Sequence, residues 1–402
     1  MTVGCSVLLH VQHLLGIGHL QRTLRIADAL ARDGVRVTLV SGGMPIALLR
    51  HPAIDFVQLP PIRAYDARFA LFDGGGAPVD DALRTRRGDM LLAAFSEARP
   101  DAVVIEGFPF ARRAFRSELD PLIAAVKEAQ PRPSLLCSLR DIVVVRDDPA
   151  RHRVIAARVQ DDFDAVLVHG DPAFVPLDMS FPAAPEIADR LIYTGYVAPP
   201  AETAPVALAP NDGAHGVVVS AGGGAAGKTL LDTALAALRE GCCTDMPWLL
   251  LTGTNLPETD VTALRNAAPA GVAVERFRPG LLGVLRRSRV SVSQAGYNTV
   301  LDILAVGVPA VLVPFAAERE TEQQLRAERL AALGAAELVP ESELTPGALA
   351  AAINRAIMKR RPVPLTVERG GAARSARVIA AMIGARGGDG FVAAAREGII
   401  AQ

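Results

Sequence analysis

The sequence predicts an α/β protein made of two doubly wound, Rossmann-like domains. Apolar strands and helices alternate along the chain, each half opens with a strand, a glycine turn and a helix, and a proline-rich stretch separates the halves. With 402 residues the chain can form two domains of about 200 residues each, and its 50% hydrophobic content can supply a core for both. We expect the two domains to face a cleft that holds the ligand.

The first domain is predicted over residues 1–197. An apolar strand at 7–11 leads through a glycine turn to a helix over 20–32, whose apolar residues share one face. The stretch 60–82 contains three consecutive glycines, and a loop of this length predicts a lid or an acceptor-binding loop. Further strands are predicted at 35–40, 102–105, 134–138 and 165–168.

The second domain is predicted over residues 214–383, after a linker at 198–213 that is rich in proline and alanine. A tail at 384–402 follows, for which the sequence indicates no function. The opening pattern of the chain recurs in this domain. The predicted elements are strands at 216–220, 248–251, 272–274, 290–293 and 310–315 and helices at 228–239, 297–306, 320–333, 346–358 and 372–383.

Residues 290–315 are the stretch that says most about function. A strand ends in the turn Gln294-Ala295-Gly296, and the helix that follows is ended by Gly307 and Pro309 before a second strand. Backbone N–H groups and the positive end of the helix dipole meet at such a turn, which is therefore suited to phosphate. Asp302, about one to two turns into the helix, could accept hydrogen bonds from a ribose diol. The stretch predicts a nucleoside diphosphate site; the alternative is an ordinary packed unit with an exposed aspartate.

Composition and charge narrow the class of protein. The net charge of −1 and the isoelectric point near 6.7 argue against a nucleic-acid-binding protein. Basic clusters at 84–87 and 111–116 are interpreted as solvated faces, although the second could contact an anionic membrane surface. The four cysteines lack metal-ligand spacing, and no signal peptide or membrane-spanning run is recognisable. We therefore expect a cytoplasmic protein without a disulfide framework.

Three motifs suggest other ligands. Residues 222–229 satisfy the P-loop pattern G-x-x-x-x-G-K-[ST], but no apolar strand downstream ends in the aspartate that would hold Mg²⁺. Gly16-Ile17-Gly18 is half of a dinucleotide fingerprint whose third glycine is missing. His10, His13 and His19 crowd one strand end without a carboxylate or cysteine to complete a ligand set, so we expect no metal site.

The chain also carries a family resemblance. It resembles a bacterial group described as predicted glycosyltransferases, in the segments VQHLLGIGHLQRTLRIADAL, YTGYV and SQAGYNTVLDILAVGVPAVLVPF. Its second half is similar to glycosyltransferase family 28, which includes the N-acetylglucosaminyltransferase that makes lipid II. The resemblance implies the GT-B fold and transfer of a sugar from a nucleoside diphosphate donor, expected to be a UDP-sugar, to a hydroxyl acceptor. It also implies inversion at the anomeric centre and no bound metal or other cofactor.

The resemblance further implies a donor site in the second domain. Asp302 matches the position where the family usually has a glutamate that binds the ribose hydroxyls. Phe277 and Arg278 would border the base, and Gln323 and Gln324 would face the donor sugar or its phosphates. The residues expected near the diphosphate are Gly222, Gly223, Gly224, Ser293, Gln294, Ala295, Gly296, Asn298 and Thr299.

The acceptor side is predicted in the first domain. The pattern from Gly16 and Gly18 through His19 to Arg22 resembles the start of the UDP-sugar hydrolase of the pseudaminic acid pathway, whose matching histidine is a base. A histidine at a helix N-terminus is favoured in its neutral form and can accept a proton. The alternative is that His19 only caps the helix or contacts phosphate.

Two carboxylates follow strands of the first domain. Glu106 could orient the acceptor or act as the base, and a strand-end glutamate without a role is the alternative. Asp141 is a further acceptor-side candidate. The sequence leaves open a UDP-sugar hydrolase or epimerase, a P-loop NTPase acting through residues 222–229, and a nucleotide-sugar sensor without turnover. No motif identifies the donor sugar or the acceptor, which could be a small molecule or a lipid.

Overall fold

The structure is a computed structural model. It describes residues 4–14, 17–46, 52–64, 70–143, 148–198, 216–222, 227–253, 256–278, 280–315, 321–359 and 367–384. The described residues up to 198 and from 368 onward form unit 1, and those from 216 to 367 form unit 2. Strands and helices are numbered along the whole chain.

Unit 1 contains a seven-stranded sheet in which every neighbouring pair is parallel. Its strands are β1 (Ser6–Val11), β2 (Arg36–Ser41), β3 (Ile54–Gln58), β6 (Ala102–Glu106), β7 (Ser134–Arg140), β8 (Ala165–His169) and β9 (Leu191–Tyr193). The strand order is β3-β2-β1-β6-β7-β8-β9. The central strands are almost entirely apolar because helices cover both faces of a parallel sheet.

The helices of unit 1 include one from the end of the chain. They are α1 (Gly18–Arg32), α2 (Asp81–Ala98), α3 (Arg116–Glu128), α4 (Pro149–Asp162) and α11 (Gly371–Gly384). Ile379 of α11 lies in the same apolar core as Ile26 and Leu30 of α1. The boundary predicted from the sequence put residues 372–383 in the second domain, whereas the structure packs them in unit 1. The sequence pattern shows that this helix has an apolar face but does not show which sheet the face covers.

The stretch 60–82, predicted as a long irregular loop, contains a short antiparallel hairpin. Its strands are β4 (Ile62–Arg63) and β5 (Phe72–Asp73), and residues 65–69 lie outside the described part of the chain. The side chain of Asp80 then caps α2 by accepting a hydrogen bond from the Leu83 N–H at 2.8 Å. The loop is therefore partly structured.

The interpretation of residues 84–87 as a solvated face is wrong for Arg87, which is fully buried. Its guanidinium forms two hydrogen bonds with the carboxylate of Glu118, from Nε at 2.7 Å and from Nη2 at 2.8 Å. It also donates to Gln12 Oε1 at 2.7 Å and to the Gly42 carbonyl at 3.0 Å. A buried arginine requires such partners, and a local sequence window cannot reveal them.

Unit 2 contains a six-stranded parallel sheet with the order β12-β11-β10-β13-β14-β15. These strands are β10 (Val217–Ser220), β11 (Trp248–Leu251), β12 (Val272–Glu275), β13 (Val290–Ser293), β14 (Ala310–Leu312) and β15 (Glu337–Leu338). Its helices are α5 (Lys228–Arg239), α6 (Glu258–Ala267), α7 (Leu281–Arg287), α8 (Tyr297–Val306), α9 (Glu322–Ala332) and α10 (Pro346–Met358).

The predicted strand-helix-strand unit at 290–315 is present as β13, α8 and β14. Gly296 caps the start of α8 with an extended backbone, and Gly307 ends the helix in the left-handed region at φ 61°. β14 stops at Leu312, short of the predicted 315, because Pro314 has no N–H to donate.

Each sheet has one point where the strand order reverses. It lies between β1 and β6 in unit 1 and between β10 and β13 in unit 2. Ligands of doubly wound folds bind at the carboxyl ends of the strands beside this switch point. We therefore expect the site of each unit to be formed by the residues that follow these four strands.

Candidate functional site

The switch point of unit 1 brings together two residues that the sequence predicts separately. His19 lies in the first turn of α1, just after β1, and Glu106 is the last residue of β6. His19 Nδ1 lies 2.6 Å from Glu106 Oε1. The His19 side chain remains 23% exposed, whereas that of Glu106 is 2% exposed. The pair, called the dyad below, therefore presents its imidazole and hides its carboxylate.

Two arginines complete the charge balance of the dyad. Arg22, one turn along α1 from His19, donates from Nη2 to Glu106 Oε1 at 2.5 Å. Arg112 Nη2 lies 3.7 Å from the other carboxylate oxygen, Oε2. Arg22 was predicted as an acceptor-side residue, and the structure gives it this ion pair with Glu106. Arg112 was not predicted individually, because it belongs to a basic stretch that looks solvated, yet its side chain is only 12% exposed.

These contacts set the protonation of the dyad. Burial lowers the pKa of His19 below its usual value of 6.5, and Arg112 lowers it further, against the opposing effect of Glu106. Burial alone would raise the pKa of Glu106, but His19, Arg22 and Arg112 hold it well below its usual range. At neutral pH the arrangement is therefore a neutral imidazole beside an ionised carboxylate. If the imidazole proton sits on Nδ1, facing Glu106, the Nε2 atom can accept a proton.

The other acceptor-side residues differ in their surroundings. Gly18 begins α1 and is exposed, and Gly16 lies outside the described residues. Asp141 is fully buried, and its Oδ2 atom accepts a hydrogen bond from the Tyr196 hydroxyl at 3.4 Å. This hydrogen bond connects the Asp141 carboxylate to Tyr196 within unit 1.

The switch point of unit 2 brings together the two predicted phosphate turns. Ser220 and Ser293 are register partners at the ends of β10 and β13. Gly222 has a left-handed backbone, and a Cβ added there would lie 4.0 Å from Gln294 Oε1. Gly223 and Gly224 lie outside the described residues. The Ser293 hydroxyl is buried and has no hydrogen-bond partner among the residues that the structure describes.

The start of α8 is supported from behind by an arginine that sequence reasoning missed. Arg326 of α9 is 2% exposed and donates from Nη1 to the Ala295 carbonyl at 2.9 Å. Its guanidinium lies 5.8 Å from the centre of the Tyr297 ring. The sequence indicates Arg326 only through its position, because it lies in the segment EQQLRAERL together with the predicted Gln323 and Gln324. The arginine adds positive charge next to Gly296, where the first N–H groups of α8 have no partner within the helix.

The remaining donor candidates differ in the exposure of their side chains and in their contacts. Asn298 is exposed and Thr299 and Asp302 are half-buried on the first turns of α8. Gln323 Oε1 accepts a hydrogen bond from the Phe315 N–H at 3.1 Å, and Gln324 Nε2 donates to Glu328 Oε1 at 2.7 Å. The amides of the two glutamines are thus engaged within unit 2.

Phe277 and Arg278, the residues predicted beside the base, follow β12. The Phe277 side chain is 70% exposed, as expected for a surface on which a ring could stack. Arg278 Nε donates to Glu275 Oε2 at 2.8 Å. The structure thus leaves Phe277 open and pairs Arg278 with a carboxylate.

Two residues of the P-loop-like motif, its lysine and its last glycine, have structural roles within unit 2. Lys228 Nζ pairs with Asp232 Oδ2, one turn along α5, at 2.5 Å. This carboxylate raises the pKa of Lys228. A Cβ at Gly227 would lie 2.1 Å from the Ala221 Cβ, so close packing of α5 on β10 requires glycine there. Residues 223–226 of the motif lie outside the described part of the chain.

The three histidines near the end of β1 have separate surroundings. His10 is buried 3.8 Å from Glu118, whereas His13 Nε2 lies 3.1 Å from the Met44 carbonyl. Among the described residues, no group of three histidines, cysteines or acids is placed to hold a metal ion. Within the same residues, every helix is too short or too polar to span a bilayer.

Comparisons with known proteins agree with this geometry. Residues 217–380 match the family model described as the glycosyltransferase family 28 C-terminal domain. A Phenylobacterium zucineum protein named UDP-N-acetylglucosamine--N-acetylmuramyl-(pentapeptide) pyrophosphoryl-undecaprenol N-acetylglucosamine transferase is 27% identical over 355 residues. The matched region covers 84% of this chain and 86% of that protein.

Solved structures show the same fold. The calicheamicin glycosyltransferase CalG4 superposes with a TM-score of 0.58 and 19% identity over 100% of this chain and 99% of its own. MurG of Acinetobacter baumannii superposes with a TM-score of 0.56 and 18% identity over 94% of this chain and 99% of its own.

The two sheets, their switch points and these matches define a glycosyltransferase with the GT-B fold. Within that class the protein is a family 28-like glycosyltransferase, and residues 217–380 carry the C-terminal domain of the family. The resemblance drawn from the sequence is confirmed.

Proposed function

We propose that the protein transfers a sugar from a UDP-sugar to a hydroxyl group of an acceptor, with inversion at the anomeric carbon and without a metal ion. The 2.6 Å contact between His19 Nδ1 and Glu106 Oε1 carries this proposal. It supplies a neutral, partly exposed imidazole at the switch point of unit 1, which is what deprotonation of an acceptor hydroxyl requires.

In the proposed reaction, His19 Nε2 takes the proton of the acceptor hydroxyl as the oxygen attacks the anomeric carbon. The new oxygen–carbon bond forms on the face opposite the diphosphate, and the bond to the diphosphate oxygen breaks with its electron pair leaving on the phosphate. One direct displacement inverts the centre. The ionised Glu106 stabilises the imidazolium that forms and holds Nδ1 as the protonated nitrogen.

The donor is proposed to bind in unit 2. The N-terminus of α8 and the buried Arg326 behind it supply positive potential for the leaving diphosphate. Asp302 is proposed to bind the ribose hydroxyls. A UDP-sugar is favoured because the Phenylobacterium zucineum relative is named as a UDP-N-acetylglucosamine transferase, which makes that nucleotide sugar the first donor to test.

Donor binding is tested by the rise in melting temperature that UDP produces in the whole protein. We expect stabilisation by UDP with or without Mg²⁺, and a loss of about tenfold in UDP affinity for Asp302→Ala. Asp245→Ala, an exposed aspartate of unit 2, is the matched control. Stabilisation only by ATP or GTP with Mg²⁺, abolished in Lys228→Ala, would instead establish a P-loop NTPase.

Transfer is tested by UDP release from UDP-N-acetylglucosamine with and without hydroxyl acceptors, followed by NMR of the anomeric proton in the product. His19→Ala should lower kcat by about 10²–10⁴-fold while UDP binding persists, and Gln21→Ala on the same helix should not. Undiminished turnover in His19→Ala contradicts the proposal. Free sugar as the main product in the presence of acceptors would favour a hydrolase, with water in place of the acceptor hydroxyl.

A further inference from the structure

Unit 1 has an open pocket of about 320 Å³ that contains none of the residues given a role in the reaction above. Its floor is apolar: Phe108 and Pro109 are buried, and Ile155 is 9% exposed. Three arginines line it: Arg113, Arg116 and Arg151. The volume is at the lower end for small-molecule sites, sufficient for one ring with a charged substituent.

The charge of the pocket is unbalanced. Asp148 is the single carboxylate in its lining, and its Oδ1 atom is occupied as the cap of α4, where it accepts from the Arg151 N–H at 3.0 Å. Within the described part of the chain, neither Arg113 nor Arg116 forms an ion pair, and the buried Nε of Arg116 has no hydrogen-bond partner. Both arginines line the same pocket, so their like charges repel each other. An anion held between them would relieve that repulsion.

The chemistry of the lining selects the ligand. Arginine guanidinium groups bind carboxylate or phosphate through two parallel hydrogen bonds. The apolar floor of Phe108, Pro109 and Ile155 favours an uncharged, apolar part next to that anion. A purely polar anion such as free phosphate would leave the floor unused.

The pocket adjoins the dyad through one continuous segment. Phe108 and Pro109 follow Glu106 by two and three residues. Gly107, between Glu106 and Phe108, has a left-handed backbone. Arg112 contacts Glu106 at 3.7 Å, while its neighbour Arg113 lines the pocket. The donor residues lie in unit 2, so an anion bound here would belong to the other substrate.

We propose that this pocket binds the anionic group of the acceptor, a phosphate or carboxylate joined to an apolar portion. The proposal rests on the transferase function proposed above. Arg113 and Arg116 hold the anion, the apolar floor holds the adjoining portion, and the acceptor hydroxyl extends toward His19.

The test uses phenyl phosphate as the probe and phenol as its uncharged counterpart, titrated calorimetrically into the whole protein. Phenyl phosphate should bind at least about tenfold more tightly than phenol, and Arg113→Gln with Arg116→Gln should weaken it by at least about tenfold. Arg153→Gln, an exposed arginine of α4 outside the pocket, should leave binding unchanged. If the double variant does not fold, Arg113→Gln alone provides the test, because that side chain is exposed.

Equal affinity of phenyl phosphate for the double variant and the unaltered protein would overturn the proposal. So would binding of phosphatidylglycerol vesicles through these arginines without any competition from phenyl phosphate, which would assign them to a membrane surface. UDP binding, measured on the same samples, reports on unit 2 separately. Its absence in the unaltered protein would contradict the transferase function rather than the anion pocket.

Discussion

The position of one proton on His19 decides what the dyad can do. Glu106 Oε1 lies within hydrogen-bond distance of both His19 Nδ1 and Arg22 Nη2, and the carboxylate is nearly inaccessible to solvent. A buried carboxylate with a depressed pKa is a weak base. The sequence leaves open that Glu106 orients the acceptor, acts as the base or has no role. Its burial and its contact with His19 favour a different role, the positioning of the His19 imidazole.

Glu106→Gln should therefore impair catalysis rather than binding. The amide removes the charge that stabilises the imidazolium, so we expect kcat to fall by about 10²–10³-fold with little change in KM for the donor. Steady-state kinetics at saturating acceptor measure this. Glu97→Gln makes the same change at an exposed glutamate of α2 and should have no effect. A rise in KM with kcat unchanged would show that Glu106 acts in binding instead.

The pH dependence of transfer follows from the lowered pKa of His19. A base works when deprotonated, so activity is lost as pH falls through its pKa, and the acidic limb should lie below pH 6.5. Arg112 contributes to lowering this pKa, and Arg112→Gln should move the limb to higher pH. Profiles of kcat/KM measured for both proteins test the shift. A limb that stays in place in the variant would contradict the assigned role of Arg112.

At the scale of elements, the buried pair of Arg87 and Glu118 connects α2 to α3. Arg87 also donates to the carbonyl of Gly42 and to Gln12, so one side chain binds the ends of β1 and β2 as well. A Cβ on Gly42 would come within 2.5 Å of Arg87 Nη2, which explains the glycine at that position.

Arg87→Met should destabilise unit 1 by about 3–5 kcal/mol, because it leaves the Glu118 carboxylate buried without its partner. Urea denaturation followed by circular dichroism gives the change in midpoint. Arg86→Met, at the exposed neighbouring position, should change stability by less than about 0.5 kcal/mol. An equally small change in stability for both variants would mean that solvent or other groups stabilise the Glu118 carboxylate when Arg87 is absent.

The sequence predicts those elements whose pattern is local. The runs at 7–11 and 102–105 are unbroken apolar strands, and both are present. Strand β3 was missed because it lies at the sheet edge with Asp55 and Phe56 exposed, so it lacks a buried pattern. His19 and Glu106 were found individually, since each follows a predicted strand. Their contact was not predictable, because the two residues are 87 positions apart in the sequence and meet only since β6 lies beside β1.

On the scale of the whole molecule, the two units place their candidate residues by the same rule. In each sheet the polar and glycine residues sit after the two strands that flank the reversal of strand order. Unit 1 presents a histidine and a carboxylate there, whereas unit 2 presents turns of small residues and a helix N-terminus. The division matches a base for the acceptor in one unit and a phosphate site for the donor in the other.

The return of the chain to unit 1 allows a test of how the molecule is divided. Ile379 on α11 and Ile353 on α10 are both fully buried, the first in a core of unit 1 and the second in that of unit 2. Ile379→Ala should therefore cost about 2–5 kcal/mol and speed hydrogen exchange in β1 and β6, although it lies late in the sequence. Ile353→Ala should speed exchange in β10 and β13 instead. Mass spectrometry of peptides from the four strands separates these results, and faster exchange in β10 caused by Ile379→Ala, with β1 unaffected, would place α11 with unit 2, as the sequence boundary at 383 predicts.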